Sequence, residues 1–217
     1  MPVIKQHYVP QFIMRNFADE NGWLCVIDKK ASPMRVKKLK TNAILAEKDM
    51  YETKNSDGSY FNRNGIENKF AQIEGQISNI LREVDRDLFN KRILSTNEEC
   101  AFALFIALQL VRLPKVREII KDSPKGDFTN DADKETYDRA IYRMMLQSRE
   151  SGFEYLKENG LELSEETKEK LKGKSLLEDT TSFILSNCAI YVLIAPNDTP
   201  YVLSDMPVLI DSFSDAK

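Results

Sequence analysis

Between residues 66 and 88 the apolar side chains Ile66, Phe70, Ile73, Ile77, Leu81, Val84 and Leu88 recur every three or four positions. That spacing lays them along one stripe of an α-helix. Gly75 interrupts the pattern at a cost of about 1 kcal/mol relative to alanine, too little to end it. The next run, "AFALFIALQLVRL" (101–113), is apolar on nearly every side, as in a helix enclosed by protein. Gln109 is its one uncharged polar side chain. "STNEE" before it supplies a capping box, with Ser95 or Thr96 as cap and Glu98 or Glu99 in the first turn. Pro114 ends or kinks the run, and "KVREIIKD" resumes past it. A polar loop is expected over 123–133. One long helix is predicted over 134–159, with Tyr137, Ile141, Met144, Met145 and Phe153 on its apolar side and Gly160 as its stop. "LSEETKEKLKG" (163–173) reads as a short charged helix and "LLEDTTSFILSN" (176–187) as an amphipathic one.

The period changes toward both ends. Residues 7–17 suit a short helix or an extended arm, with Pro10 in a first turn. "WLCVID" (23–28) and "MRVKKL" (34–39) read as paired strands joined through "ASP". Residues 42–62 are expected to be irregular, with a turn at Asp57-Gly58. "CAIYVLIAP" (188–196) and "YVLSDMPVLI" (201–210) form a second strand pair around "NDTP". The predicted fold is α+β: a predominantly helical body with a small antiparallel sheet built from N- and C-terminal hairpins. Residues 1–217 are expected to make one domain. The chain stops soon after a strand, so either the N-terminal strands close the sheet or a longer form exists.

Composition narrows the class. With 42% hydrophobic and 30% charged residues, the chain is that of a soluble globular protein. The longest apolar run is too short to span a bilayer, so no membrane role is expected. A formal net charge of -3 argues against a strong, sequence-independent grip on nucleic acid and leaves room for a local basic patch. Cys25, Cys100 and Cys188 lie far apart with no CxxC, which suits a reducing, cytoplasmic setting. Cys100 and Cys188 sit in apolar runs and are expected to be buried.

Candidate chemistry starts at His7, the only histidine. It reads as a general acid or base, or as a packed structural imidazole. If residues 8–17 are helical, Tyr8, Gln11 and Arg15 share one side and Arg15 suits a phosphate or carboxylate. Glu67 and Glu74 share a helix face. Positions 70 and 77 are Phe and Ile, so the glutamate–histidine pairing of dimetal bundles is missing. A magnesium site, which needs only one or two carboxylates, stays open. Arg112 follows the enclosed helix and needs a partner, Asp205 or a glutamate of the preceding helix. Ser204 and Asp205 read as a turn after a strand or as a catalytic element. Asp28-x-Lys30 has the order seen in restriction-type nucleases, an order that also arises by chance, and Glu47 to Tyr51 is a further acidic cluster. No P-loop, GxGxxG or GxSxG occurs.

"KQHYVPQFIMRNFA" (5–18) resembles the N-terminal signature of the domain of unknown function 4238 family. "LAEKDMY", "GIENKFAQIE", "LQLVRLP" and "LSDMPV" resemble its later blocks in the same order, as far as residue 208. Leu203 and Met206 depart from the Thr and Asn of the family pattern, and family members usually continue past this turn. The resemblance implies that His7, Tyr8, Gln11, Arg15, Glu47, Asp49, Tyr51, Glu67, Glu74, Arg112, Ser204 and Asp205 belong to one pattern. The expectation is a polar site. His7, Asp205 and Glu67 would be catalytic. Glu67, Glu74 and Asp205 would hold magnesium, and Tyr8, Gln11, Arg15, Arg112 and Ser204 would bind substrate. Such a set suits phosphoester hydrolysis, as in a nuclease serving as a toxin or in phage defence, with nucleic acid or a phosphorylated molecule as partner. The alternative is a non-catalytic module that binds a protein partner.

Overall fold

The computed structural model describes residues 4–87, 93–121, 128–171, 175–190, 192 and 203. Strands come first. β1 (Lys5–His7) pairs with β4 (Ala46–Lys48), β2 (Trp23–Ile27) with β3 (Val36–Lys40), and β5 (Thr53–Lys54) with β6 (Tyr60–Phe61), all antiparallel. The β2–β3 pair is the expected N-terminal hairpin, with Trp23 opposite Lys40 and Ile27 opposite Val36. Contrary to the sequence expectation of an irregular stretch, residues 42–62 carry β4, β5 and β6. Strands of two or three residues are too short to show alternation in a sequence. The three pairs are separate two-stranded sheets. The expected C-terminal hairpin lies almost wholly outside the described residues.

α1 (Gln11–Arg15) begins one residue after Pro10, so Tyr8 stands ahead of the helix rather than on it. α2 (Gly65–Asp87) buries Ile66, Phe70, Ile77 and Val84, the predicted stripe. α3 (Thr96–Val111) opens with the predicted capping box between Ser95 and Glu98. It packs against α2 and against α8 (Leu176–Asn187), with Ala101, Ala103 and Ala107 buried. α4 (Lys115–Lys121) follows Pro114.

The long helix predicted over 134–159 is two helices, α5 (Asp131–Leu146) and α6 (Arg149–Glu158). Ser148 takes an extended backbone (φ -165°, ψ 162°) and its hydroxyl accepts the Ser151 amide at 3.2 Å, capping α6. The buried Arg143 braces the break. It donates to Ser151 Oγ at 3.0–3.1 Å, to Gln147 Oε1 at 2.5 Å and to Thr53 Oγ1 at 3.3 Å. Apolar periodicity runs through this break because both helices bury their stripes in one cluster with Phe61, Met144, Tyr155 and Leu156. Gly160 (φ +76°) ends α6 as expected, with the Leu161 amide on the Leu156 carbonyl at 2.9 Å. The short α7 (Glu165–Lys170) starts at Ser164.

The main core joins Met50, Tyr51, Ile66 and Phe70 to α3 and α8. A smaller cluster of Val9, Met14 and Leu24 seats α1 and the β2–β3 ribbon, and Leu203 packs against it. Contrary to the sequence expectation, Cys100 and Cys188 are exposed, as is Cys25. Cys100 precedes the point where α3 enters the core, and Cys188 is the C-cap of α8. Among the described residues no helix is long and apolar enough to cross a membrane.

Candidate functional site

Arg112 is the C-cap of α3 and is 2% exposed. A buried guanidinium needs partners for its N–H groups, and each branch has one. Nη1 pairs with the Glu74 carboxylate of α2, Nη2 donates to the His7 carbonyl of β1, and Nε donates to the Tyr51 hydroxyl at 3.3 Å. The Tyr51 hydroxyl lies 3.2 Å from the His7 carbonyl and 3.4 Å from that of Arg112. Burial, the largest cause, pushes the Tyr51 phenol well above its ordinary pKa, so it stays neutral. Phe70 stands edge-on to Tyr51 at 5.1 Å and lies under the guanidinium at 5.2 Å. One arginine therefore joins the N-terminal arm, the Tyr51 loop and two helices.

A second network anchors the same arm. Gln6 is fully buried; its side-chain Oε1 accepts the Tyr51 backbone amide at 2.7 Å and its Nε2 donates to the Glu52 carboxylate at 2.7 Å. Glu52 also accepts the Asn64 amide at 3.1 Å, just ahead of α2. Nothing in the sequence pattern singles out Gln6 or Glu52. Their importance comes from long-range pairing.

Beside these satisfied groups stand polar atoms that are not satisfied. His7 Nε2, Glu67 Oε2 and both amide atoms of Gln109 are buried and have no hydrogen-bond partner among the described residues. Burial, the largest cause, lowers the His7 pKa below 6.5, with Arg112 and Lys5 acting in the same direction and a bond to the Thr41 backbone opposing. Burial raises the Glu67 pKa from 4.5 to about 7; Glu74 and Glu52 add to it and Arg112 opposes. His7 Nδ1 lies 3.5 Å from Gln11 Nε2, and Gln11 Oε1 accepts from Arg15 at 3.3 Å. A chain of polar groups thus runs from the imidazole to an exposed cation on α1.

A model for a family of proteins of unknown function, DUF4238, matches residues 5–216. The chain belongs to the DUF4238 family. No curated protein and no solved structure matches it.

The positions that the resemblance puts in one pattern separate in the structure. His7, Tyr51, Glu67, Glu74 and Arg112 gather around the arginine, with Gln11 and Arg15 leading outward. Of the two partners expected for Arg112, the glutamate of the preceding helix is the one observed. Asp49, held at φ +50°, accepts from Tyr60 at 3.0 Å and borders a separate cleft of about 310 Å³. That cleft is lined by Glu52, Lys54, Glu135, Asp138 and Arg139 among others, an acidic balance. Tyr8 packs half-buried between two clusters, and Glu47 is exposed on β4 opposite Gln6. Ser204 and Asp205 lie outside the described residues. Leu203, which precedes them, packs on the cluster that seats α1. Asp28 caps its own turn, accepting the Lys30 amide at 3.0 Å.

For magnesium the fit is poor among the described residues. Arg112 occupies Glu74, and no three His, Cys, Asp or Glu side chains group to hold an ion. Gln109, the one uncharged polar residue of the apolar run, is 1% exposed, and neither of its amide atoms has a partner among the described residues.

Proposed function

We propose that this DUF4238 protein is a phosphoester hydrolase working by acid–base catalysis, with His7 as base and Glu67 as acid. The observation that carries the reading is the pair of buried, unpartnered atoms, His7 Nε2 and Glu67 Oε2. A fold gives up about 1–3 kcal/mol for each such orphan, and a catalytic role is one of the few reasons to keep a polar atom in that state. Their titration supports the roles. Free in water, a glutamate (4.5) ionises before a histidine (6.5). Here the order is reversed, so a neutral imidazole and a protonated carboxyl coexist near neutral pH, the state in which one accepts a proton and the other donates one.

In the proposed reaction a water oxygen attacks phosphorus and His7 Nε2 takes its proton. The bond to the leaving oxygen breaks, and Glu67 protonates that oxygen. Arg15, with Gln11 between it and His7, neutralises the phosphoryl oxygens. The acidic cleft beside Asp49 is unsuited to an anion, which favours approach from the α1 side. Arg112 and Tyr51 are positioning residues, since their bonds are taken within the protein. Asp205 is kept in the proposal because the resemblance puts it in one pattern with His7 and Glu67, and its position lies outside the described residues. No step is routed through a metal. The three exposed cysteines support a reducing, cytoplasmic setting, where such an activity would suit a toxin or a phage-defence nuclease.

The test is turnover of bis(p-nitrophenyl) phosphate, DNA and RNA by the wild type and by His7→Ala, Glu67→Gln and Asp205→Asn. Loss of about 100-fold or more in the His7 and Glu67 variants supports the reading. Unchanged turnover in His7→Ala sinks it. The alternative, a non-catalytic module, draws on the complete satisfaction of Arg112, and a wild type inactive on all three substrates would favour it.

A further inference from the structure

The β2–β3 ribbon is unlike the rest of the molecule. Residues 23–40 hold six basic side chains, Lys29, Lys30, Arg35, Lys37, Lys38 and Lys40, against one acidic residue, Asp28, in a chain of net charge -3. Lys40 is engaged, donating to the Asn21 carbonyl at 2.7 Å and lying 4.7 Å over the Trp23 ring. The other five are exposed, and none forms an ion pair among the described residues. Apolar side chains stand between them: Ile27 and Val36, directly opposite one another, are 60% and 66% exposed, Met34 68% and Trp23 40%. The ribbon's inner face is fixed by Leu24, which packs with Val9 and Met14 in the cluster that carries α1 and hence Arg15.

We propose that this ribbon is a nucleic-acid-binding arm, gripping phosphates through Lys29, Lys30, Arg35 and Lys38 and laying Trp23, Ile27 and Val36, which share the outer face with Lys38, against bases and sugars. Charge complementarity selects the partner. A two-stranded ribbon about 17 Å long fits a groove or tracks a single strand. A membrane wedge gathers its cations behind an apolar tip; here Lys29, Lys30 and Arg35 are in the tip itself. The arm deepens the hydrolase reading by naming nucleic acid as its substrate class, and it rests on that reading only for turnover, not for binding.

The test is fluorescence anisotropy with short labelled single-stranded DNA, duplex DNA and RNA, at salt from about 50 to 200 mM. Lys30→Gln, Arg35→Gln and Lys38→Gln are combined in one variant. Trp23 is the only tryptophan, so its emission reports contact directly. The wild type should bind at low salt with a change in Trp23 emission, and the tightest of the three ligands identifies the strand type. The triple variant should bind at least about tenfold more weakly, with a log–log salt slope shallower by about 3, and should still hydrolyse a small phosphodiester at the wild-type rate. No binding by the wild type at low salt, or unchanged affinity in the variant, overturns the arm. So does a blue shift of Trp23 on phosphatidylserine vesicles with none on nucleic acid. A protein that binds through the ribbon and hydrolyses nothing would leave the arm standing and remove the hydrolase reading.

Discussion

Replacing Glu67 by glutamine removes one titration and keeps the shape of the side chain. The unfolded carboxyl has a pKa of 4.5, and in the fold burial raises it to about 7. Below pH 4.5 the group is protonated in both states and carries no penalty. Between 4.5 and about 7 the folded chain holds a proton that the unfolded chain has released, so stability falls as pH rises. Above about 7 both states are ionised and the deficit stays constant. At about 1.4 kcal/mol for each tenfold change in proton affinity, the upper bound is about 3 kcal/mol. Glu67 as a whole is half-buried although its Oε2 is enclosed, and screening reduces this to about 1–2 kcal/mol. Glu67→Gln lacks the deficit. Its stability relative to the wild type should therefore rise by about 1–2 kcal/mol between about pH 5 and pH 8, about 4 °C in melting temperature. Urea unfolding followed by far-UV circular dichroism at both pH values measures this, and the difference cancels every other titrating group. A fixed offset from the new amide is expected, and the change with pH is diagnostic. A difference that stays level from pH 5 to pH 8 would mean that Glu67 ionises like a surface carboxyl, and its role as acid would fall.

Two further perturbations test the frame around the site. Arg112→Met leaves the Glu74 carboxylate, the His7 carbonyl and the Tyr51 hydroxyl without their partner, at a cost of about 3 kcal/mol in the unfolding free energy from urea titration; a loss under about 1 kcal/mol would show that the arginine is not the tie described. Gly152→Ala would set a Cβ 2.2 Å from Met144 Cγ and 2.8 Å from the Ala140 carbonyl, so the α5–α6 corner must shift. A loss of about 1–3 kcal/mol in thermal or urea unfolding is expected, and an equally stable variant would contradict that packing.

The helices were legible wherever a stripe or a cap is local. Ile66, Phe70 and Ile77 announce α2, Ser95 and Glu98 announce α3, and the cost of burying a lone charge calls for a partner to Arg112 while leaving Asp205 and a glutamate of α2 as alternatives. The break at Gln147-Ser148 was not legible, because Met144 and Tyr155 keep the same apolar register on both sides of it. What makes the break is Arg143 reaching Ser151 and a glycine that lets α6 lie on α5, both tertiary facts. β4, β5 and β6 escaped because two or three residues carry no period. At the site, the lone His7 and the glutamate pair were visible as residue types. Gln6 and Glu52 were not, because their partners lie some 45 residues away or sit in a loop, and only folding shows which polar atoms end up buried. The exposed cysteines show the opposite limit: an apolar neighbourhood in sequence does not bury a residue at a helix end.

The proposed acid–base chemistry rests on the inverted titration of His7 and Glu67, and the pH dependence of kcat/KM for a small phosphodiester reads it directly. The rate should rise as the imidazole loses its proton below pH 6.5 and fall as the carboxyl ionises at about pH 7, with the descending limb missing from whatever residual activity Glu67→Gln retains. A rate that keeps climbing well above pH 7, with the same profile in Glu67→Gln as in the wild type, would contradict it.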